Sequence, residues 1–163
     1  MWKVLMISDS HGNNDVVLAA MKKAAEFDAV IHLGDVGTNY LELENKCPKP
    51  FYLVRGNCDY DYSLKQVIMP TFGPHKFYCT HGHLSGVSGG LNILRYQAME
   101  AGCTIAAFGH IHVPVWYEPE QEGDPYIVNP GSISRPRQED RKKTFAMLTL
   151  ADDGSVSCRF DYI

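Results

Sequence analysis

WKVLMISDSH, residues 2–11, begins as an almost continuous apolar run and ends with a carboxylate and an imidazole. An apolar run without a polar face is typical of a strand that is buried on both faces, as in parallel sheets. We therefore expect a strand over residues 2–8, with a functional site at its carboxyl end. The run is too short to predict a signal peptide or a membrane-spanning helix.

This arrangement, an apolar run followed by polar side chains, recurs along the chain. Four further runs lead into polar motifs: residues 29–33 into Gly34-Asp35, 51–54 into Gly56-Asn57-Cys58-Asp59, 76–79 into Thr80-His81-Gly82-His83, and 104–108 into Gly109-His110-Ile111-His112. Helical patterns lie between the runs, at residues 16–24, 40–45 and 91–100, and Asn13 or Asn14 can cap the first of them.

The order of strands and helices in the first third, βαβαβ, favours a largely parallel sheet whose ligand crevice lies beyond the carboxyl ends of its strands. Further apolar segments at 66–69, 113–117, 126–128, 145–150 and 156–162 predict short strands, so we expect the C-terminal third to be mostly antiparallel. The pattern predicts an α/β fold of two packed sheets flanked by helices, with residues 1–163 forming one domain.

Composition narrows the class of protein. A chain of 163 residues with 45% hydrophobic content is long enough for one domain. Its net charge of −4 argues against broad nucleic-acid binding. The cysteines are odd in number and include no Cys-x-x-Cys pair, so we expect reduced, mostly buried thiols and a cytoplasmic protein without a membrane anchor.

The polar motifs together supply a set of metal ligands: Asp9, His11, Asp35, Asn57, His81, His110 and His112. Carboxylate, amide and imidazole donors form a mixed N/O set that suits Mn, Fe, Zn, Co or Ni. If one carboxylate bridges two ions, each ion receives four of these donors. Such a pair of ions can activate one shared water molecule.

Each motif also has a plainer interpretation when it is taken alone. Asp9-Ser10-His11 can be a helix cap, and Gly34-Asp35 or Gly56-Asn57 can be a turn; the order and number of the motifs favour metal binding. Asp59 is interpreted as a carboxylate that fixes a loop, and Cys58 as a packed small residue. The basic residues in 135–143 are typical of a solvated loop, with gripping of a substrate phosphate as the alternative.

These motifs, in this order, resemble those of the calcineurin-like metallophosphoesterase superfamily, which carries Asp-x-His, Gly-Asp, Gly-Asn-His-(Asp/Glu), His and Gly-His-x-His. The resemblance extends along the chain and includes Asn129-Pro130-Gly131-Ser132. The small size and the Gly-Asn-Cys-Asp variant look like the bacterial and archaeal phosphodiesterase branch, close to the YfcE-like group. The resemblance implies a four-layer αββα sandwich of two mixed sheets flanked by helices.

The resemblance also implies a ligand set and a reaction. Asp9, His11 and His112 would hold one divalent ion, Asn57, His81 and His110 a second, and Asp35 would bridge them. Manganese is the family's commonest activator, with iron, nickel, cobalt and zinc as alternatives. The implied activity is hydrolysis of phosphodiester bonds by attack of a metal-bridging hydroxide, with Asp35 and Asn57 as catalytic residues.

Cys58 departs from the family pattern, because most members carry a histidine there that is thought to contact the phosphate and protonate the leaving oxygen. A thiol is a poor proton donor near pH 7, so we expect activated aryl diesters to be cleaved better than alkyl monoesters. Asn57, Cys58 and His83 are the predicted substrate-binding residues, and His83 could orient substrate or act as an alternative acid.

Two other functions remain open at this point. A protein-interaction scaffold is one, because the retromer subunit of the same fold is mainly an adaptor with an impaired metal site. A nuclease of the same superfamily is the other, although the acidic balance and the lack of a capping domain disfavour it. The expected partner is a small or nucleotide-like phosphodiester, and a homodimer is possible.

Overall fold

A computed structural model describes residues 1–163. The strands are β1 Trp2–Ile7, β2 Ala29–His32, β3 Phe51–Leu53, β4 Val67–Ile68, β5 Thr71–Phe72, β6 His75–Thr80, β7 Ile105–Ala107, β8 Pro114–Tyr117, β9 Tyr126–Pro130, β10 Thr144–Leu150 and β11 Val156–Tyr162. The helices are α1 Asn14–Ala24, α2 Tyr40–Lys46 and α3 Asn92–Glu100, with a 3-10 helix at His83–Ser85. No helix is long and apolar enough to cross a membrane.

The apolar run that opens the chain alternates between two interiors along β1. Val4 and Met6 pack between the two sheets, whereas Leu5 and Ile7 pack toward helices α1 and α2. All four side chains are fully buried. This period-two alternation explains why the sequence shows no polar face in this strand.

The strands form two mixed sheets. The first has the order β11-β10-β1-β2-β3, in which β1, β2 and β3 run parallel and β10 is antiparallel to β1 and β11. The second has the order β4-β6-β7-β9-β8, with β5 paired to β6; its strands β6, β7 and β9 run parallel. The expected parallel arrangement of the first third is confirmed.

Three apolar clusters define four layers. One cluster lies between the sheets and includes Ile31 and Leu148 of the first sheet and Phe77 of the second. A second cluster packs α1 and α2 on the outer face of the first sheet, and a third packs α3 on the outer face of the second sheet. The layers therefore follow the order αββα, as the fold class predicts.

Asn13 starts α1 because its side chain accepts a hydrogen bond from the Val16 backbone N–H. The C-terminal third is mostly antiparallel, as expected, because β8 pairs with β9 and β10 pairs with β11 and β1 in this way. The exception is the pairing of β9 with β7, which is parallel and runs through Ile127 and Val128. The strand β5 and the 3-10 helix were not expected, since segments of two or three residues carry no periodicity.

The cysteines also differ from expectation. All five are free thiols, but only Cys79 and Cys103 are buried. Cys47 and Cys158 are partly buried, and Cys58 is exposed. The interpretation of Cys58 as a packed small residue is therefore wrong: it belongs to the loop after β3, which borders a cavity instead of the core.

Candidate metal centre

The candidate ligands lie in the loops that follow the parallel strands of both sheets. Asp9, Asp35 and Asn57 follow β1, β2 and β3 of the first sheet. His81 follows β6 of the second sheet, and His110 and His112 follow β7. Since parallel strands end at the same edge, the packing of the two sheets brings these loops together.

Asp9 lies at the centre of the group. Its Oδ1 atom is 3.1 Å from His112 Nε2, 3.8 Å from His81 Nε2 and 3.9 Å from His11 Nε2. The Asp9 side chain is fully buried. Three imidazole nitrogens therefore converge on one buried carboxylate oxygen.

The remaining candidates join this group through Asp35 and His110. Asp35 Oδ2 is 3.3 Å from His81 Nε2 and 3.7 Å from His11 Nε2. His110 Nδ1 lies 3.1 Å from Asn57 Oδ1, close to the ~3 Å that separates two ligands of one ion with bonds of ~2.1 Å. The structure thus brings all the predicted donors into one connected cluster.

Two hydrogen bonds fix the orientation of the imidazole rings. His81 Nδ1 lies 2.7 Å from the carbonyl oxygen of Leu33, and His112 Nδ1 lies 2.7 Å from that of Arg135. A carbonyl oxygen only accepts, so each Nδ1 donates its proton, and in the neutral ring Nε2 presents a lone pair. Such second partners are the usual way in which proteins orient histidine ligands.

Two polar atoms of the cluster form no hydrogen bond with the rest of the chain. Asp9 Oδ1 and His81 Nε2 are buried and have no hydrogen-bond partner. Lone pairs on neutral imidazoles that face a carboxylate oxygen repel it, and leaving such groups unsatisfied costs about 1–3 kcal/mol each. A cation between them removes both penalties, so the donor set fits divalent metal ions.

The ionisation of the cluster follows the same logic. Burial would raise the pKa of Asp35, but the adjacent His81 and the hydrogen bond from the Cys58 N–H hold that pKa well below its usual range. Burial lowers the pKa of His81, but Asp35 and Asp9 outweigh it and raise the pKa. For His11, burial outweighs the charges of Asp35 and Asp9 and lowers the pKa. Burial would raise the pKa of Asp9 too, but His112, His81 and Ser8 lower it, so both carboxylates are ionised at neutral pH and ready to bind a cation.

Unusual backbone conformations coincide with the cluster. Outside glycine, positive φ angles occur at Ala25 and Arg141 and at five candidate ligands, Asp9, His11, Asp35, His110 and His112, with values between 48° and 71°. The left-handed region costs an L-residue about 1–2 kcal/mol. Strain at so many ligands indicates that the loops hold these side chains in place for function.

The glycines before the ligands permit the loops to approach one another closely. A Cβ atom on Gly56 would collide with the backbone nitrogen of Asp35, and one on Gly109 would collide with the Ser8 side chain. These contacts explain the Gly-Asn and Gly-His pairs of the sequence. Any larger residue at either position would push two ligand loops apart.

Several residues that support the ligands carried no clear signal in the sequence. Asp9 Oδ2 accepts a 2.5 Å hydrogen bond from Ser8 Oγ and a 3.1 Å bond from the His110 N–H. The hydroxyls of Ser132 and Ser134 both donate to the Asp9 carbonyl oxygen at 2.8 Å. Only the Asn129-Pro130-Gly131-Ser132 motif pointed to this support in advance.

Asp59 fixes a loop, as predicted. Its Oδ2 accepts from the N–H groups of Asp35 and Gly56, and its Oδ1 accepts from those of Val36 and Gly37. The carboxylate thereby ties the loop after β2 to the loop after β3. One side chain outside the candidate ligand set therefore holds two of the candidate ligand loops.

A cavity of about 430 Å³ opens beside the cluster. Its lining combines candidate ligands, Cys58 and a basic segment: His11, Asp35, Asn57, Cys58, His110, His112, Arg135, Pro136, Arg137 and Arg141. His83 does not line it; its ring packs 5.5 Å from that of His81 and 6.1 Å from that of His110. Of the predicted substrate-binding residues, the structure thus places Asn57 and Cys58 at the cavity.

Residues 2–153 match the family profile of the calcineurin-like phosphoesterase superfamily domain. The chain is 36% identical over 159 residues to the probable metallophosphoesterase YsnB of Bacillus subtilis, covering 97% of this chain and 90% of that protein. It is 27% identical over 161 residues to the phosphodiesterase YfcE of Escherichia coli, covering 84% of this chain and 82% of YfcE.

Solved structures share the same architecture. A predicted phosphoesterase from Streptococcus pneumoniae superposes with a TM-score of 0.82 at 30% identity, covering 99% of this chain and 89% of that one. Vps29 of Entamoeba histolytica, solved in complex with zinc, superposes with a TM-score of 0.75 at 21% identity, covering 98% of both chains. The second similarity concerns the fold alone.

Proposed function

The chain belongs to the calcineurin-like phosphoesterase superfamily, and from this premise we propose that it is a dinuclear metal-dependent phosphodiesterase. The relative YfcE, which is named a phosphodiesterase, supports the diester specificity. The use of metal ions is supported by the clustering of seven nitrogen and oxygen donors beside one cavity: Asp9, His11, Asp35, Asn57, His81, His110 and His112.

The observation that carries the proposal is the pair of unsatisfied buried atoms, Asp9 Oδ1 and His81 Nε2. Folding would not leave ionised and neutral donors facing one another in the interior unless a bound cation offset the cost. Both atoms belong to the group of Asp9, Asp35 and His81, whose ligand atoms lie within 4.8 Å of one another. The geometry therefore favours binding of metal ions over a vestigial arrangement.

We assign the donors to two ions that share Asp35. Asp9, His11 and His112 would hold the first, and their ligand atoms lie within 4.8 Å of one another. Asn57, His81 and His110 would hold the second, in line with the short His110–Asn57 separation. Manganese is the proposed activator, and iron, nickel, cobalt or zinc would suit the same N/O donor set.

When bound, a pair of divalent ions supplies a water molecule of lowered pKa and neutralises charge on the phosphoryl oxygens. The chain itself contributes position and charge. The Asn57 amide Nδ2 can donate to a phosphoryl oxygen while its Oδ1 faces His110. The backbone N–H of Cys58 donates to Asp35 Oδ1 at 2.8 Å, which holds the bridging carboxylate in place.

The proposal predicts turnover of bis(p-nitrophenyl) phosphate with added Mn²⁺ and its loss on chelation. Asp35→Asn keeps the shape of the side chain but removes the charge that would bridge the ions, so activity falls by at least about 100-fold. Asp61→Asn, which changes an exposed carboxylate nearby, is the matched control and keeps full activity. Release of p-nitrophenol and the metal content of each variant are measured together.

A second candidate function is a metal-binding interaction scaffold, because structures of Vps29 share the fold. The complete donor set at the cavity favours the enzyme over the scaffold. The same assay separates them, since a folded protein that carries metal but hydrolyses no phosphodiester supports the scaffold. Retained activity in Asp35→Asn would contradict the dinuclear mechanism itself.

We further propose a cytoplasmic location and a small or nucleotide-like phosphodiester as substrate. Five cysteines without a disulfide support a reducing compartment. The net charge of −4 disfavours broad binding of nucleic acids. A homodimer stays a prediction, which light scattering on the purified protein would check.

A further inference from the structure

One wall of the cavity is formed by arginines that the proposed reaction does not use. Arg135, Arg137 and Arg141 lie between β9 and β10 and line the cavity together with the candidate ligands. No carboxylate of the chain forms an ion pair with any of the three. Their charges are therefore available to a ligand in the cavity.

The arginine segment is fastened to the metal centre by its backbone. His112 Nδ1 donates to the carbonyl oxygen of Arg135, and the N–H of Arg137 donates to the carbonyl oxygen of His112 at 3.0 Å. Arg141 Nη1 donates to the carbonyl oxygen of Pro136 at 3.2 Å, which closes the segment on itself. The backbone of the segment thus has a defined position relative to a candidate ligand, and the Arg141 guanidinium is held against the segment.

Charge is distributed unevenly along the chain. The protein has a net charge of −4, yet residues 135–143 contain five of its 15 basic residues and only two acidic ones. A local excess of positive charge on an acidic protein attracts anions to this cavity.

We propose that Arg135, Arg137 and Arg141 form a second anion subsite, so that the preferred substrate carries a phosphate group in addition to the scissile diester. This inference rests on the proposed function. A diester bears one negative charge, which the metal ions would already neutralise, so three guanidinium groups without an ion-pair partner exceed its needs. Arginine suits phosphate because it donates two parallel hydrogen bonds. The cavity volume lies within the ~300–1,000 Å³ typical of small-molecule sites.

A calorimetric comparison of two nucleotides tests the subsite without turnover. The Mn²⁺-loaded protein is titrated with thymidine 3′,5′-bisphosphate and with thymidine 5′-monophosphate, neither of which contains a diester. We expect the bisphosphate to bind at least about tenfold more tightly, the usual effect of one charge-assisted contact. The double variant Arg137→Gln/Arg141→Gln brings the two affinities close to each other.

Lys142→Gln is the matched control within the same segment. It removes one positive charge, but its Nζ lies 4.3 Å over the ring of Tyr162 and Lys142 does not line the cavity. The preference for the bisphosphate is therefore kept in this variant. Loss of the preference in Lys142→Gln to the same extent as in the arginine variant would show general electrostatic attraction and overturn the subsite.

A phosphorothioate-linked thymidine decanucleotide, which keeps the charges of a strand and resists hydrolysis, distinguishes two sources of the second phosphate. If the bisphosphate binds more tightly per site than the decanucleotide, the subsite binds a small molecule with a terminal phosphate. If the decanucleotide binds more tightly and the arginine variant removes this difference, the subsite binds the neighbouring phosphate of a strand. Equal affinity for the bisphosphate and monophosphate in the unaltered protein overturns the proposal.

Turnover of bis(p-nitrophenyl) phosphate by the same preparation separates the two hypotheses. A protein that hydrolyses this diester but binds both nucleotides equally retains the proposed function and lacks the subsite. A protein that prefers the bisphosphate but hydrolyses no diester retains the subsite and lacks the proposed function.

Discussion

At the scale of single residues, Cys58 is the point where this chain departs from the pattern of its superfamily. The side chain is exposed at the cavity, next to Asn57. Partial burial and the charge of Asp35 raise the pKa of its thiol, so the group keeps its proton at neutral pH. A thiol of raised pKa gives up its proton less readily than an imidazolium, so Cys58 is a poor substitute for the histidine that the family pattern places here.

The variant Cys58→His should restore this proton donor. We expect the rate advantage of bis(p-nitrophenyl) phosphate over an alkyl phosphomonoester to narrow by about 10- to 100-fold, because poor leaving groups depend most on a general acid. The measurement is the ratio of kcat/KM for the two substrates. Cys58→Ser, which supplies no acid, keeps the ratio of the unaltered enzyme. An unchanged ratio in Cys58→His would remove this explanation.

His32 makes stability depend on pH. It is fully buried beneath the site, bonded to Ser10 Oγ at 2.9 Å, and burial lowers its pKa to about 4. The unfolded chain has a histidine pKa of about 6.5, so between these values it binds more protons than the folded chain. The contribution of His32 to the free energy of unfolding is therefore fully present above about pH 6.5 and is lost as the pH falls toward 4.

The size of this effect can be measured by urea unfolding of the metal-free protein at pH 7 and pH 5. The unaltered chain should lose about 2 kcal/mol more over this range than His32→Gln, which cannot take up the proton. The comparison cancels contributions from the other histidines. Equal losses in both proteins would show that His32 is not the titrating group.

At the scale of secondary-structure elements, the loops after β2 and β3 act as one unit because of Asp59. Four backbone N–H groups donate to this carboxylate, and the side chain is only 6% exposed. The loops in turn carry Asp35 and Asn57, from different strands. The position of these two candidate ligands relative to each other therefore depends on a side chain that binds neither a metal nor a substrate.

Asp59→Asn should destabilise the protein by about 2–3 kcal/mol, because the new NH₂ group faces two backbone donors that lose their acceptor. Affinity for Mn²⁺ should fall as well, since the two loops are no longer tied. The exposed Asp61→Asn variant is the comparison, with a change below about 1 kcal/mol. The urea unfolding midpoints of both variants measure the loss of stability. Equal losses in the two variants would contradict the role of Asp59.

The elements that the sequence predicts well are those whose side chains obey one period over several residues. Strand β1 and helix α1 are examples, because each buries a regular set of positions. Strand β5 pairs only Thr71 and Phe72 with β6, so its existence depends on tertiary contact. The parallel pairing of β9 with β7 was missed for the same reason, since periodicity does not encode the neighbour of a strand.

At the scale of the whole molecule, the candidate site is made by the packing of two sheets. Each sheet supplies part of the donor set from one edge, and the apolar cluster between the sheets sets their separation. The sequence predicts the set of donors, because each follows an apolar run. It does not predict that His81 Nε2 lies near both Asp9 and Asp35, since these distances belong to the assembled sandwich.

The basic segment illustrates the same limit. Arg135, Arg137 and Arg141 have the sequence of a solvated loop, and their exposure agrees with that interpretation. Only the hydrogen bonds to His112 reveal that the segment borders the metal centre. A signal was present in Asn129-Pro130-Gly131-Ser132, which leads the chain from β9 to the site.

The central claim is that the seven donors bind two metal ions that share Asp35. Anomalous diffraction from crystals of the Mn²⁺-loaded protein, recorded on both sides of the manganese absorption edge, tests it directly. The account predicts two anomalous peaks about 3.5–4 Å apart, one beside Asp9 and His112 and the other beside Asn57 and His110. A single peak, or manganese bound only elsewhere on the molecule, would contradict it.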